Sequence, residues 1–225
     1  MLKTIFWLSA VLALVSFTGA ACGSGSSSDK DKDKTSGKQM TAQEKQALTE
    51  VKGALTNFAN VKSFKVVLVA QVLQPSGMIT SSTFTYDFVP PDRYQLYTGP
   101  TAGITRVVGS ETFTYDRPSD RWMLLTDYSG PAYQGFNKLF DAKTMAAIAE
   151  SLGDSATVTK ASTDTVEGKI CQLYVLTDEP TQNKTDLCIA DNLPLRFVYH
   201  VGSLTTTAVF SAYNTNIEIE RPKTN

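Results

Sequence analysis

The sequence predicts an α+β domain in which helices pack on a sheet of consecutive antiparallel strands. Three observations support this prediction: an amphipathic helical stretch at residues 41–61, a long run of strand-like segments divided by turn signals, and a second helical stretch followed by more strands. The order of elements is helix, about six strands, helix, and about five or six strands. Residues 40–225 hold all of them, which is enough chain for one domain with one sizeable core.

The N-terminal residues 1–21 are typical of an export signal. Lys3 precedes an apolar stretch at residues 5–17, and small residues then lead to Cys22. A basic region, an apolar region and a small-residue region in this order form a secretory signal peptide. The apolar run of about 13 residues is shorter than the ~20 that a membrane-spanning helix requires. We therefore expect a signal peptide and not a membrane span.

Cys22 stands directly after the small residues, and this stretch resembles a bacterial lipobox. The resemblance implies that Cys22 is acylated through sulfur and becomes the mature N-terminus. Residues 22–39 continue with Ser, Gly, Lys and Asp, a composition that predicts a flexible linker. Because two acyl chains hold a protein stably on a membrane, we expect a lipid-anchored protein on the extracytoplasmic face of the cell membrane. The alternative is an ordinary secretory signal followed by an incidental cysteine.

The first helix is predicted over residues 41–61. Thr41 and Glu44 have the spacing of a capping box, in which each side chain bonds the backbone of the other residue. Apolar residues then recur at the three- and four-residue spacing of one helix face, namely Ala47, Leu48, Val51, Leu55 and Phe58. We expect the apolar face of such a helix to pack against a flat surface.

The following residues, about 64–126, predict antiparallel strands separated by Pro- and Gly-containing turns. Within TFTYDF, Phe84, Tyr86 and Phe88 share one face of a strand, and Thr85 and Asp87 share the other. This alternation indicates a half-buried strand. FKVVLVAQVL is apolar on both faces, which predicts that both of its faces are covered. Strands resume after residue 156, and the last predicted strand is TNIEIE, residues 215–220.

The second helical stretch, residues 132–154, carries a broad apolar stripe. The stripe consists of Phe136, Leu139, Phe140, Met145, Ile148, Ala149 and Leu152. Plain core is the default interpretation of such a stripe. The alternative is a lid over a cavity.

Cys171 and Cys188 form an even pair in a domain predicted to be exported, where thiols are commonly oxidised. They lie in two strand-like runs separated by a turn-rich segment, and a hairpin would bring them together. We expect a disulfide that closes this loop and adds ~3 kcal/mol of stability. A metal site or a reactive thiol is the alternative, but neighbouring ligands are lacking and His200 is the only histidine. We expect neither a metal nor a cofactor.

Charge and motifs argue against nucleic-acid binding and against catalysis. The formal net charge is -1 and the pI is about 5.9, and no basic stripe alternates with aromatic residues, so nucleic acid is a poor partner. The sequence lacks G-x-S-x-G, P-loop and G-x-G-x-x-G motifs. Asp116 and Asp120 resemble an acid–base pair, but a solvated turn is the expected structure. Arg93, at a strand start, is expected at the sheet rim, with a headgroup contact as the alternative.

Several segments together resemble the LolA-like superfamily, which includes bacterial lipoprotein carriers and LppX/LprG-type lipoproteins. They are NFANVKSFKVVLVAQ, FVPPDRYQL, VVGSETFTYDRPSDRWM, KICQLYVL and DLCIADNLPLRFVYH. The resemblance covers residues 41–220. It implies a curved, incompletely closed antiparallel sheet (a half-barrel) of about 11 strands with helices over its concave side.

The same resemblance implies a function, which is to take up acyl chains in an apolar cavity. The expected ligand-binding residues are then Phe84, Tyr86 and Phe88 on the strand and Phe136, Leu139, Phe140, Met145 and Ile148 on the second helical stretch. The expected partners are lipid or acyl chains, the membrane through the anchor, and an envelope protein. The alternative is a protein-interaction or envelope-stress-sensing lipoprotein that uses the same fold without lipid transport.

Overall fold

A computed structural model describes residues 40–98, 103–126, 142–153, 156–178 and 181–224. The predictions for the signal peptide, Cys22 and the linker lie outside these residues, as do those for Phe136, Leu139 and Phe140. The elements are α1 (Ala42–Ala59), β1 (Phe64–Leu73), β2 (Ile79–Val89), β3 (Arg93–Tyr97), β4 (Ile104–Val108), β5 (Glu111–Asp116), β6 (Arg121–Leu124), α2 (Ala142–Ser151), β7 (Ala156–Val166), β8 (Lys169–Asp178), β9 (Lys184–Ala190), β10 (Leu193–Val201) and β11 (Leu204–Ser211).

The strands form one 11-stranded antiparallel sheet in the order β6-β5-β4-β3-β2-β1-β11-β10-β9-β8-β7. Each half is a meander, and β1 pairs with β11 to join the two halves at the centre. Strands β6 and β7 are the two ends of this order, so the sheet is open. The prediction of an α+β half-barrel with helices on one face is confirmed. Within the described residues, no helix is long and apolar enough to cross a membrane.

Helix α1 begins where the sequence predicts. The Glu44 backbone N–H donates to Thr41 Oγ1 over 3.2 Å, and the Thr41 N–H donates to Glu44 Oε2 over 2.7 Å. The predicted apolar face is buried against the sheet, and only Leu48 is half-buried. Capping and amphipathic burial therefore act together to form this helix.

Contacts at the two ends of α1 fix its direction across the sheet. We define the upper end of the sheet as the end with the β1–β2 and β10–β11 turns. The first strand of the second meander, β7, also starts at this end. Leu48 near the start of α1 contacts Gly153, just before β7. Near the other end of α1, the Asn57 amide donates to the carbonyl of Asn192 in the lower β9–β10 turn over 3.2 Å. Helix α1 therefore starts at the upper end and runs downward.

The main core lies between the helices and the inner face of the sheet. Phe58 of α1 contacts Phe64 of β1, with ring centroids 5.0 Å apart, and Phe210 of β11 at 5.4 Å. The same cluster extends to Val107 on β4 and to Val158 on β7. The helices thus bring together strands from both halves of the sheet, as expected for a sheet that curves around them.

A smaller core on the outer face contains the disulfide. Cys171 and Cys188 are bonded, with their Cα atoms 5.5 Å apart, across the β8–β9 pair. Both are buried together with Val166 and Leu195. The predicted disulfide is confirmed.

The prediction of a final strand at residues 215–220 is wrong. This segment forms no strand and crosses the outer face of the sheet, where Arg106 Nη1 donates to the Glu220 carbonyl over 2.9 Å. Ile219 is buried, and Arg221 pairs with Glu111 over 2.7 and 2.9 Å. A segment lying on a sheet exposes alternate residues just as a strand does, so the pattern alone does not separate the two.

Candidate functional site

The predicted aromatic face of β2 points toward the helices. Phe88 is fully buried between Phe64, at a centroid distance of 5.0 Å, and Tyr94, at 6.3 Å. Tyr86 is also buried, whereas Phe84 is only half-buried. The burial of this face thus decreases along the strand toward the upper end of the sheet. Phe88 is a core residue, and Phe84 is the most accessible of the three.

Above Phe84, the inner face changes its chemistry. One row across the sheet aligns Ser82, Ala70, Thr206, Tyr199 and Thr185, each opposite the next in the strand pairing. We call Ser82, Thr206, Tyr199 and Thr185 the hydroxyl row. Thr206, Tyr199 and Thr185 are 6–8% exposed, so these hydroxyl-bearing side chains lie in the interior. Burial raises the pKa of the Tyr199 phenol, as does the nearby Asp178 carboxylate.

The row beneath it is mostly apolar. We call it the apolar row; its inward-facing residues are Phe84, Leu68, Ala208, Phe197, Leu187 and Tyr174. Ser82, Ala70 and Thr185 are smaller than the Phe and Leu side chains directly below them, whereas Thr206 and Tyr199 are larger than Ala208 and Phe197. The inner face therefore combines a mostly apolar lower part with a hydroxyl-bearing upper part.

The structure describes four residues of the second helical stripe, and they face the inner side of the sheet. Met145, Ala149 and Leu152 are buried in the main core, and Ile148 is half-buried against it. Met145 is a core residue, in agreement with the default interpretation of the stripe. Ile148 is only partly buried, so it is the most accessible of the four described residues of the stripe.

A polar cluster that the sequence did not reveal joins α1 to the β7 edge. Glu50 accepts hydrogen bonds from the Tyr174 hydroxyl, from Lys160 Nζ over 2.9 Å and from the Gln46 amide over 2.9 Å. The Tyr174 and Lys160 bonds lower the pKa of Glu50 from 4.5 to about 2. Burial, and then the Glu50 carboxylate, raise the pKa of Tyr174.

This cluster is poorly suited to proton transfer near neutral pH. A general base works best when its pKa is close to the working pH. The Glu50 carboxylate, with a pKa of about 2, holds a proton too weakly for that role. The cluster acts as a link between helix and sheet.

The other candidate chemical residues lie apart from the inner face. Asp116 and Asp120 flank an exposed turn, where they accept from Ser119 and Tyr115 respectively. His200 is exposed, and its ring nitrogen Nδ1 lies 3.2 Å from Thr205 Oγ1. Arg93 is exposed at the lower start of β3. No group of three or more His, Cys, Asp or Glu residues in the described part of the chain could hold a metal ion.

A second polar arrangement lies on the outer face and explains how Asp87 is buried in a strand. Asp87 pairs with Lys65 over 3.2 Å and accepts from the Tyr97 hydroxyl over 3.1 Å. Gln95 bonds Tyr97 and accepts from Arg106 Nε over 2.8 Å. Alternation predicted that Asp87 faces away from the core, but its partners Lys65 and Tyr97 come from two other strands and could not be read locally.

Comparison with known proteins establishes the fold and no more. No family model and no curated protein matches the chain. Among solved structures, LprF of Mycobacterium bovis matches with a TM-score of 0.56 and 13% identity, over 79% of this chain and 97% of LprF. The lipoprotein LppX of Mycobacterium tuberculosis matches with a TM-score of 0.53 and 15% identity, over 78% of this chain and 99% of LppX. The chain therefore shares the fold of LprF and LppX, as its resemblance to LolA-like proteins predicted.

Proposed function

We propose that this chain is a membrane-anchored, extracytoplasmic lipoprotein that binds a lipid or acyl chain between the inner face of its sheet and its helices. The observation that carries the proposal is the two-row inner face, with mostly apolar side chains below and buried hydroxyl-bearing ones above. Acyl chains gain about 25 cal/mol for each Å² of apolar surface removed from water. Hydroxyl groups beside them offer hydrogen bonds to an ester or headgroup.

This role needs no catalytic group, and we propose binding instead of catalysis. The most strongly perturbed carboxylate, Glu50, is committed to Tyr174 and Lys160. The half-buried Phe84 and Ile148 are then the described ligand contacts, with Met145, Tyr86 and Phe88 forming the packed support behind them. The role of Phe136, Leu139 and Phe140 in the same site stays a prediction from the sequence.

Two adjacent residues of β11 provide a matched test. Thr206 faces inward and is buried, whereas Thr207 faces outward and is half-buried. The full-length protein is purified from its membrane, and native mass spectrometry measures the co-purifying lipid in the parent, in Thr206→Phe and in Thr207→Phe. If the hydroxyl row borders the ligand, Thr206→Phe loses lipid while both variants keep the parental unfolding midpoint.

A hydroxyl row that is closed core and borders no ligand predicts different results for lipid binding and stability. If the row is closed core, Thr206→Phe overpacks it, costs ~1–3 kcal/mol of stability and leaves lipid binding per folded molecule unchanged. A parent that carries no lipid and takes up no fluorescent acyl probe contradicts the proposal. Ile148→Trp tests the helix side in the same way, because Ile148 is half-buried against the core.

The membrane anchor is tested separately. Cys22→Ser removes the thiol that the proposed acylation requires. We expect this variant to leave the membrane fraction or to keep its signal peptide, as shown by fractionation and by the mass of the purified chain. A Ser variant that is processed and fractionates like the parent contradicts the anchor.

A further inference from the structure

An exposed apolar cluster lies at the upper end of the sheet, at the tip of the β1–β2 hairpin. Leu73 is 51% exposed, Met78 60% and Ile79 61%. We call these three residues the apolar tip. Leu73 and Ile79 are a cross-strand pair, and Met78 precedes Ile79 in the connecting turn, so the three residues lie at the same tip. Exposed apolar groups that cluster in this way indicate an interaction site.

The tip is held in place by backbone hydrogen bonds. Gln74 N–H donates to the Met78 carbonyl over 2.8 Å, and Gly77 N–H donates to the Gln74 carbonyl over 2.9 Å. Leu73 N–H donates to the Ser203 carbonyl over 2.9 Å, which joins the tip to the β10–β11 turn beside it. The apolar groups therefore lie on one hairpin that is hydrogen-bonded to a second hairpin beside it.

The two hairpins are also free of charge over a long stretch. Residues 66–86 and 201–217 contain no Asp, Glu, Lys, Arg or His. The turns at the lower end carry the exposed residues Asp92, Glu167 and Asp191, and the β5–β6 turn at the upper end also carries exposed Arg117, Asp120 and Arg121. The uncharged stretch is therefore confined to the two central hairpins. A solvated surface usually mixes both signs of charge, whereas a surface that enters the bilayer interface avoids the cost of dehydrating ions.

The anchored end of the chain leads to the same end of the sheet. Helix α1 starts at the upper end, so the predicted linker, residues 22–39, joins the folded domain there. A flexible linker of this length has an average reach of about 23 Å. Strand β1, with 10 residues, is about 33 Å long. Because this average distance is shorter than the strand, the anchor favours contact between the upper end and the membrane.

We propose that the apolar tip docks on the lipid bilayer that carries the anchor, with Leu73, Met78 and Ile79 entering the interfacial region. The hydroxyl row lies on the same half of the sheet, and docking places this half of the inner face toward the membrane. The inference rests on the proposed anchor for its direction, but it does not depend on which lipid the inner face binds. A second copy of the chain or another protein on the tip would be a different occupant.

The test uses the full lipidated protein in vesicles of phosphatidylcholine and phosphatidylglycerol. With Cys171 and Cys188 bonded and Cys22 acylated, the parent offers no expected thiol to a maleimide dye. Met78→Cys then places an environment-sensitive dye at the tip, and Asp92→Cys places it in an exposed turn at the lower end. Iodide in the buffer and brominated phospholipids in the vesicles serve as quenchers from the two sides.

We expect brominated lipid to quench the dye at position 78 and not the dye at position 92, and iodide to show the reverse. Adding Leu73→Ser and Ile79→Ser to the Met78→Cys protein should lower its docked population roughly tenfold, because two half-exposed apolar side chains no longer leave water. Ile170→Ser is the matched control, because Ile170 is 74% exposed at the lower β7–β8 hairpin and should leave quenching unchanged.

Each of the other outcomes contradicts a different part of the proposal. Equal iodide quenching at positions 78 and 92 overturns docking while leaving the anchor intact. Protection from iodide without quenching by lipid means that a second copy or another protein covers the tip, which overturns the bilayer as its occupant. Dye uptake at Cys22 in the parent shows that the cysteine is not acylated, and this result overturns the anchor and the docking direction together.

Discussion

The link between α1 and the β7 edge makes a quantitative prediction about pH. Replacing Glu50 by Gln keeps the size of the side chain but removes the charge that accepts from Tyr174 and Lys160. The pKa of Glu50 is lowered from 4.5 to about 2, which at face value corresponds to ~3 kcal/mol. Because the Glu50 side chain is 32% exposed, solvent screening reduces the expected contribution to ~1–2 kcal/mol.

The sign follows from the direction of the shift. A carboxyl group with a lowered pKa stabilises the fold above its unfolded value of 4.5 and loses that contribution as the pH falls toward about 2. Glu50→Gln should therefore be ~1–2 kcal/mol less stable than the parent at pH 7. The difference should shrink by more than half between pH 5 and pH 3.

Urea unfolding of both proteins at pH 7, 5, 4 and 3 measures this difference. Glu150→Gln is the matched control, since Glu150 is an exposed glutamate on α2, and it should change stability by less than ~0.5 kcal/mol. A Glu50→Gln effect that is equally large at pH 7 and pH 3, or no larger than the control at pH 7, would refute the assignment of this cluster as a charged link.

Two further predictions concern the scaffold. Changing Cys171 and Cys188 together to Ala should lower the free energy of unfolding by ~3 kcal/mol, because the bridge spans 17 residues of sequence; calorimetry should find a midpoint about 6–12 °C lower, and a fall under 2 °C contradicts the prediction. Gly153→Ala should cost ~1 kcal/mol, because its φ is +100° and an added Cβ lies 2.9 Å from Leu48 Cδ2. Gly53→Ala, inside α1 with open space around it, should instead gain ~0.5–1 kcal/mol, and equal effects of the two changes would contradict this reasoning.

Local patterns were sufficient for most elements of this chain. The capping box at Thr41 and Glu44, the face of α1 and the alternation of Phe84, Tyr86 and Phe88 all depend on residues a few positions apart, where backbone geometry alone decides which side chains lie together. The disulfide was also predictable, because a hairpin brings Cys171 and Cys188 together. The resemblance of several segments to LolA-like proteins then supplied the open, curved sheet.

Contacts between distant parts of the chain were decided only by the tertiary structure. The pairing of β1 with β11, which aligns Ala70 with Thr206 and creates the hydroxyl row, joins residues more than a hundred positions apart. The cluster of Glu50, Lys160 and Tyr174 and the crossing of residues 215–220 over the outer face are of the same kind. Alternation records which residues are covered but not what covers them, so the apolar tip at Leu73, Met78 and Ile79 could be recognised only once the strands beside it were known.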